Sequence, residues 1–247
     1  MKNTSAIYGL HPIIEALLSG KSIDKLFIQK DLKSDQASEL VRLARKMGVS
    51  ISKVPREKLN KISKGNHQGA IAFASPIEFS SIEVIVQNTF ETGQQPLFVM
   101  LDKVSDVRNF GSICRSALSA GAHAVIIPHK GSSAINDDAM KTSAGALNHL
   151  PVCKVSSLGD TIRFMQSSGI VTIACHENAD SPIFAKDMSR PVNLLFGNEG
   201  DGIEPHLLRM AAESAKIPMV GRVGSLNVSV AAGIALFEVV RQRLQAG

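Results

Sequence analysis

Leu194-Leu195-Phe196-Gly197-Asn198-Glu199-Gly200-Asp201-Gly202-Ile203 is an apolar run that breaks into a turn with three glycines and two acids. Val192, Leu194, Leu195 and Phe196 read as a strand without polar alternation, the pattern of a strand buried on both faces. Gly197, Gly200 and Gly202 then permit positive φ, or close approach of another group to bare backbone. The Gly-x-x-Gly-x-Gly spacing is neither the dinucleotide fingerprint Gly-x-Gly-x-x-Gly nor a phosphate loop ending in Gly-Lys-Ser/Thr. An ordinary strand-to-helix turn has the same ingredients, so the rest of the chain must decide.

Working outward, five more strands of this apolar kind surround the stretch: Leu97 to Leu101, Ala124 to Ile127, Val152 to Val155, Ile170 to Ala174 and Ala215 to Ile217. Helical patterns separate them, which predicts an α/β fold with a parallel sheet covered by helices over residues 97–247. Upstream, residues 1–75 read as a smaller α/β module. It has a helix from Ile7 to Leu18, strands at Lys25 to Gln29, Val49 to Val54 and Ala70 to Ala74, a helix from Gln36 to Met47 and a short basic helix from Pro55 to Ile62. Residues 76–96 are rich in Ser, Glu, Gln and Thr and read as the connection.

The 247 residues are 44% apolar, enough for a sizeable core, and carry a net charge of +5. The charge is lopsided: 13 of the 27 Lys and Arg but 7 of the 22 acids lie before Phe79, so that part carries +6. This points to an acidic partner such as RNA. No apolar run approaches the roughly 18–20 residues of a membrane span, and the N-terminus lacks a signal-peptide pattern, so no membrane association and a cytoplasmic location are expected. Cys114, Cys153 and Cys175 form no Cys-x-x-Cys pair and read as buried thiols, with neither a disulfide framework nor a metal site. With ten Phe, one Tyr and no Trp, an extended base-stacking platform is not expected.

Two other stretches are chemically dense. In Asp102 to Gly121, Phe110, Ile113, Cys114, Ala117, Leu118 and Gly121 mark one apolar helical face. Arg115 points elsewhere, with small helical neighbours Gly111, Ser112, Ser119 and Ala122, and Asn109 suits a helix N-cap. Ser143 to Ala146, Ser-Ala-Gly-Ala, reads as a run that lets a helix pack closely or approach a ligand. In the tail, Ile217-Pro218-Met219 and Ser225-Leu226-Asn227-Val228-Ser229-Val230 lead into a helix of about 18 residues. Ser225 and Asn227 suit capping and turn chemistry there, and Phe237 falls among residues for the core or a subunit interface.

Three blocks, Asp102 to Ala117, Leu195 to Ile203 and Ile217 to Val230, together resemble the SpoU (TrmH) family of RNA 2'-O-ribose methyltransferases within the SPOUT superfamily. The resemblance covers the whole second module, and its nearest subgroup looks RlmB-like. Residues 1–75 look like the small ribosomal-protein-L30e-like domain that binds substrate, on Ile7-Tyr8-Gly9-Leu10-His11-Pro12 and His67-Gln68-Gly69. One departure is Val107, where many members have Pro.

The resemblance implies a C-terminal α/β knot, a deep trefoil, holding S-adenosylmethionine and no metal. Cofactor contacts would come from Gly197, Ile217 and Leu226, with Phe196, Gly200, Met219 and Asn227 close by, and Gly197, Gly200, Gly202, Gly221 and Gly224 would supply bare backbone. Arg115 would activate the 2'-hydroxyl or hold the target phosphate, Asn109 and Glu199 would position Arg115 and the nucleotide, and Ser225 and Asn227 would bind substrate or fix the cofactor loop. The implied substrate is a guanosine ribose of large-subunit (23S) rRNA, with DNA inert and a homodimer formed through the knotted domain. A tRNA ribose methyltransferase and a non-catalytic ribosome-assembly protein are the competing readings. A nucleotide-dependent oxidoreductase fits poorly, because no dinucleotide fingerprint follows any expected strand.

Overall fold

The computed structural model describes residues 6–246. The chain divides after Glu78 into two compact units.

The first unit holds a sheet of order β1-β4-β2-β3, made by Ala6–Tyr8 (β1), Ile23–Gln29 (β2), Ser50–Val54 (β3) and Ala70–Ala74 (β4). Helices Leu10–Leu18 (α1) and Asp35–Lys46 (α2) bury Leu10, Ile13, Leu17 and Leu40 against Leu26, Ile28 and Ala72. The short helix Arg56–Ile62 (α3) places Leu59 on Val54 and Ile71. Ile7 and Tyr8 correct the sequence reading, since they form an edge strand antiparallel to β4 and not the first helical turn. Gly9 separates strand from helix at φ 91°, a value that favours glycine.

The second unit holds six parallel strands in the order β10-β8-β9-β5-β6-β7. They are Leu97–Leu101 (β5), Ala124–Pro128 (β6), Val152–Val155 (β7), Val171–Cys175 (β8), Val192–Phe196 (β9) and Glu213–Ala215 (β10). Every residue of β5 and β9 is buried, as strands without alternation require. The last strand lies two residues earlier than the sequence suggested. One face is covered by Ile82–Glu91 (α4), Leu158–Ser167 (α7) and Pro205–Met210 (α8), through Ile82, Val86, Ile162, Met165 and Leu207 on Phe98, Met100, Ile126 and Leu195. Val107–Ser119 (α5) and Val228–Ala246 (α9) pack together on the other face. The expected connection thus contains a helix, α4, capped by Ser81 and embedded in the second unit's core.

Asp137–Thr142 (α6) packs on α5 at Gly111, where an added Cβ would lie 2.0 Å from Thr142 Oγ1. Gly111 is small to seat α6, not to give Arg115 room. Ser143 to Gly145 form a turn, with Ala144 at φ 49° and Gly145 at φ 88°, and Ala146 opens a short 3-10 helix. On α5 the apolar face is narrower than its periodicity implied: Phe110, Ile113, Cys114 and Ala117 are buried, whereas Leu118 is exposed. Cys114 and Cys153 are buried and Cys175 is half-buried; burial pushes the Cys153 and Cys175 thiols up to about 12, so both stay protonated.

Candidate active site

All six strands point their carboxyl ends the same way, and loops leave β5, β8, β9 and β10 beside one another. The chain runs β5, β6, β7 to one side and returns to place β8 and β9 on the other. A crevice at such a reversal, outside the strand ends, is where open α/β sheets bind ligands. A cleft of about 410 Å³ lies there, within the range of small-molecule sites, about 300–1,000 Å³.

Its floor is the turn after β9. Gly197 folds against its own loop so tightly that a Cβ would meet Gly202 C at 2.0 Å and Ile203 N at 2.3 Å. Gly202 sits at φ 69°. Asn198 Oδ1 accepts the N–H groups of Gly200 and Asp201, each at 2.7 Å, closing the turn from inside. The sequence reading passed over Asn198, although an Asn that can bond the backbone two residues on is a turn signal in its own right.

The turn aims Glu199 at the two other blocks. Its Oε1 accepts from Asn109 Nδ2 at 2.9 Å and from Asn227 Nδ2 at 2.6 Å, and Asn227 Nδ2 also reaches Asn109 Oδ1 at 3.0 Å. Asn109 is not the cap of α5. Asp106 holds that place, accepting the N–H groups of Arg108 and Asn109 at 2.8 Å, which frees the Asn109 amide to face the site. Asn227 does both jobs: its Oδ1 accepts from Ser229 N–H at 2.9 Å at the head of α9 while its Nδ2 serves Glu199.

Phe196, Gly197, Glu199, Gly200, Ile217, Met219, Ser225, Leu226 and Asn227 all line the cleft, with Asn109 at a smaller adjoining hollow shared by Glu199 and Gly200. Arg115 lines neither. It lies about 9 Å further along α5 than Asn109, exposed and without a partner among the described residues. Cys175, His176 and Glu177, at the end of β8, also line the cleft. Sequence pattern gave no sign of them, because only strand order carries them to this edge. Gly221 and Gly224 have open space around their Cα atoms and are not required by close packing.

A second ring of contacts fixes the far end of the turn. The buried Asp102 carboxylate accepts from Glu204 N–H at 2.7 Å, and Lys103 forms an ion pair with Glu204. Burial raises the Asp102 carboxyl above its ordinary range, against the pull of Lys103 and His206.

The cleft's charged lining is Glu177, Glu199 and Asp201, with His176 and no Lys or Arg. Such a surface suits a cation better than a phosphate. Bare backbone at Gly197, apolar Phe196, Ile217 and Leu226, and this acidic lining together fit a sulfonium nucleoside of amino-acid type.

Residues 96–237 match the SpoU rRNA Methylase family, and residues 6–80 match the RNA 2'-O ribose methyltransferase substrate binding family. A Bacillus subtilis protein, YacO, named for the TrmH family of tRNA/rRNA methyltransferases, is 34% identical over 98% of this chain and 97% of its own. The solved AdoMet-bound rRNA methyltransferase from Sinorhizobium meliloti superposes with a TM-score of 0.60 at 28% identity, covering 96% of this chain and 86% of that one. The TrmH/SpoU tRNA modifying enzyme of A. aeolicus gives a TM-score of 0.58 at 29% identity, covering 67% of this chain and 85% of its own.

Proposed function

The chain belongs to the SpoU methylase family of RNA methyltransferases, and we propose that it methylates a ribose 2'-hydroxyl of large-subunit rRNA, at a guanosine, from S-adenosylmethionine. The observation that carries this is the meeting of Asn109, Glu199 and Asn227 on one carboxylate oxygen at the rim of the cleft.

When bound, S-adenosylmethionine would supply an electrophilic methyl group on a sulfonium, which passes to the ribose oxygen and leaves the neutral thioether S-adenosylhomocysteine, with the 2'-hydroxyl proton released to water. Gly197, Ile217 and Leu226 hold the cofactor, with Phe196, Gly200 and Met219 beside them. Glu199 locks the amides of Asn109 and Asn227, so these polar groups need no rearrangement as the ribose arrives. Ser225, exposed at the cleft mouth without a partner among the described residues, meets the substrate. Arg115, always charged, holds the phosphate next to the target ribose and so sets the line of attack.

A second copy of the chain covers the α5–α9 face. Val230, Phe237 and Leu244 are 49%, 50% and 78% exposed and recur every seven residues along α9, a stripe continued by Leu118. Homodimerisation there is supported by this apolar surface and by Arg115 on the same helix pair. The trefoil knot of the second unit, the L30e-like character of the first and a cytoplasmic site of action complete the reading.

Large-subunit rRNA is favoured over tRNA by the first unit. The Sinorhizobium rRNA enzyme matches nearly all of the chain, whereas the tRNA modifying neighbour matches only two thirds. The test is transfer of labelled methyl from S-adenosylmethionine to rRNA and tRNA from a strain lacking the gene, followed by mapping of the modified ribose. Transfer to rRNA at one guanosine is expected; labelling of tRNA alone would overturn the substrate assignment.

A further inference from the structure

The sheet of the first unit has one face packed by α1 and α2 and another that, among the described residues, carries only the seven-residue α3. Register decides what lies on the second face, because residues paired across strands share a side. Tyr8 stands opposite Ile71, and Ile71 opposite Phe27; Phe73 stands opposite Lys25. Tyr8, Phe27 and Phe73 therefore lie on one side, and they are all the aromatic residues before Phe79. The hydrophobic cluster under α1 and α2 is made of aliphatic side chains and holds no aromatic ring among the described residues.

An aromatic set left off the packed face of a small unit is unusual, since such rings dominate core burial. Phe27 and Phe73 meet edge to face at 6.0 Å and are half-buried, packed at one side by Leu59 and Ile62 of α3. Tyr8 is 37% exposed. Lys25 and Lys58 hold their ammonium groups 5.0 and 5.9 Å from the Phe27 ring centre, and neither has a carboxylate partner among the described residues. Rings flanked by unpaired lysines, on a unit carrying +6, complement a polyanion with flat bases.

We propose that this sheet face grips unpaired nucleotides of the RNA substrate, with bases stacking on Tyr8 and Phe73 and phosphates meeting Lys25 and Lys58. The proposal rests on the reading of the chain as an RNA methyltransferase and says where, and in what form, the first unit takes its RNA. Bases must be unstacked to lie on rings, so the partner is single-stranded or looped and not a continuous duplex.

Tyr8 is the one tyrosine of a chain without tryptophan, so intrinsic emission comes from the proposed platform alone. Full-length protein is titrated with an end-labelled 12-nucleotide unpaired RNA, following tyrosine emission and label anisotropy together. Emission should be quenched with the same midpoint as the anisotropy rise. Phe73→Leu, which keeps apolar bulk, should weaken binding at least about fivefold. Lys25→Gln with Lys58→Gln should lower the salt slope of binding by about 1.4. Circular-dichroism melting of both variants should match wild type, which shows that the first unit remains folded, and S-adenosylmethionine affinity should stay unchanged in both. RNA binding with constant tyrosine emission and with wild-type affinity in Phe73→Leu would overturn the proposal while leaving the methyltransferase reading intact, as would equal competition by base-free polyphosphate. Failure of methyl transfer to any RNA would overturn that reading instead.

Discussion

Asn227 and Glu199 come from different blocks, yet their side chains meet at 2.6 Å, and the same Glu199 oxygen takes the Asn109 amide at 2.9 Å. A hydrogen bond to a charged group contributes about 1.5–3 kcal/mol. Glu199→Ala is expected to lower kcat by roughly 10- to 100-fold, and Asn227→Ala by a similar factor. The double variant should fall well short of the product, because both act through one network. Steady-state kinetics on the mapped RNA gives the coupling; full additivity would show that the contact is idle in catalysis.

Gly197 and Gly224 carry opposite expectations. A Cβ at Gly197 would overlap the backbone of Gly202, so Gly197→Ala must open the turn. Overpacking of this kind costs about 1–3 kcal/mol and here also deforms the cleft. Cofactor affinity, read by calorimetry, should fall at least about tenfold. Gly224→Ala adds a methyl into open space and should change stability by less than about 0.5 kcal/mol.

Arg115 is exposed and has no partner among the described residues, so Arg115→Ala should leave the melting temperature and cofactor affinity unchanged. Methyl transfer should drop by about 100-fold or more if the guanidinium orients the phosphate. Retention of full transfer would remove Arg115 from the site. Lys at this position should rescue part of the rate, since charge survives but the planar fork does not.

Asp102 makes a pH prediction. Burial raises its carboxyl above the ordinary value, so the folded state favours the protonated form. The stability this contributes is fully present below the unfolded-state value, about 3.9, and is lost as pH rises through the raised folded value. Asp102→Asn, which keeps an oxygen for Glu204 N–H, should therefore match or exceed wild-type stability at pH 7 and lose any advantage near pH 3.5. Urea denaturation at the two pH values checks the sign. A variant less stable at pH 7 than at pH 3.5, relative to wild type, would contradict it.

Phe237 is half exposed on the α9 stripe. Phe237→Glu should convert a dimer to monomer in light scattering, with loss of transfer and little change in folding. A wild-type chain that scatters as a monomer would remove the homodimer from the reading.

What the sequence made legible follows from how each signal arises. Val192 to Phe196 and Leu97 to Leu101 were readable because burial on both faces leaves no polar position, a purely local signature. Ile7 and Tyr8 were misread because two apolar residues before a helix look like its first turn; only pairing with Phe73 to Ile71 makes them a strand. Glycine identity shows where backbone freedom is permitted and not where it is demanded, so Gly197 could not be told from Gly221. Asp106 took the cap expected of Asn109, and the consequence was functional, since it released the amide toward Glu199. The few aromatics argued against a stacking surface, yet register gathers three of them on one face, which composition cannot express.

The network at Glu199 also says when the cleft comes into being. Asn109 and Asn227 are 118 residues apart, and the central β5–β9 pairing joins segments almost as distant. Contacts of that span form late, because loop closure must be completed before they stabilise anything. A nascent chain that stops short of Asn227 has its strands and its glycine turn but no third member of the network. A chain truncated before Asn227 should therefore bind S-adenosylmethionine more weakly than the full-length protein.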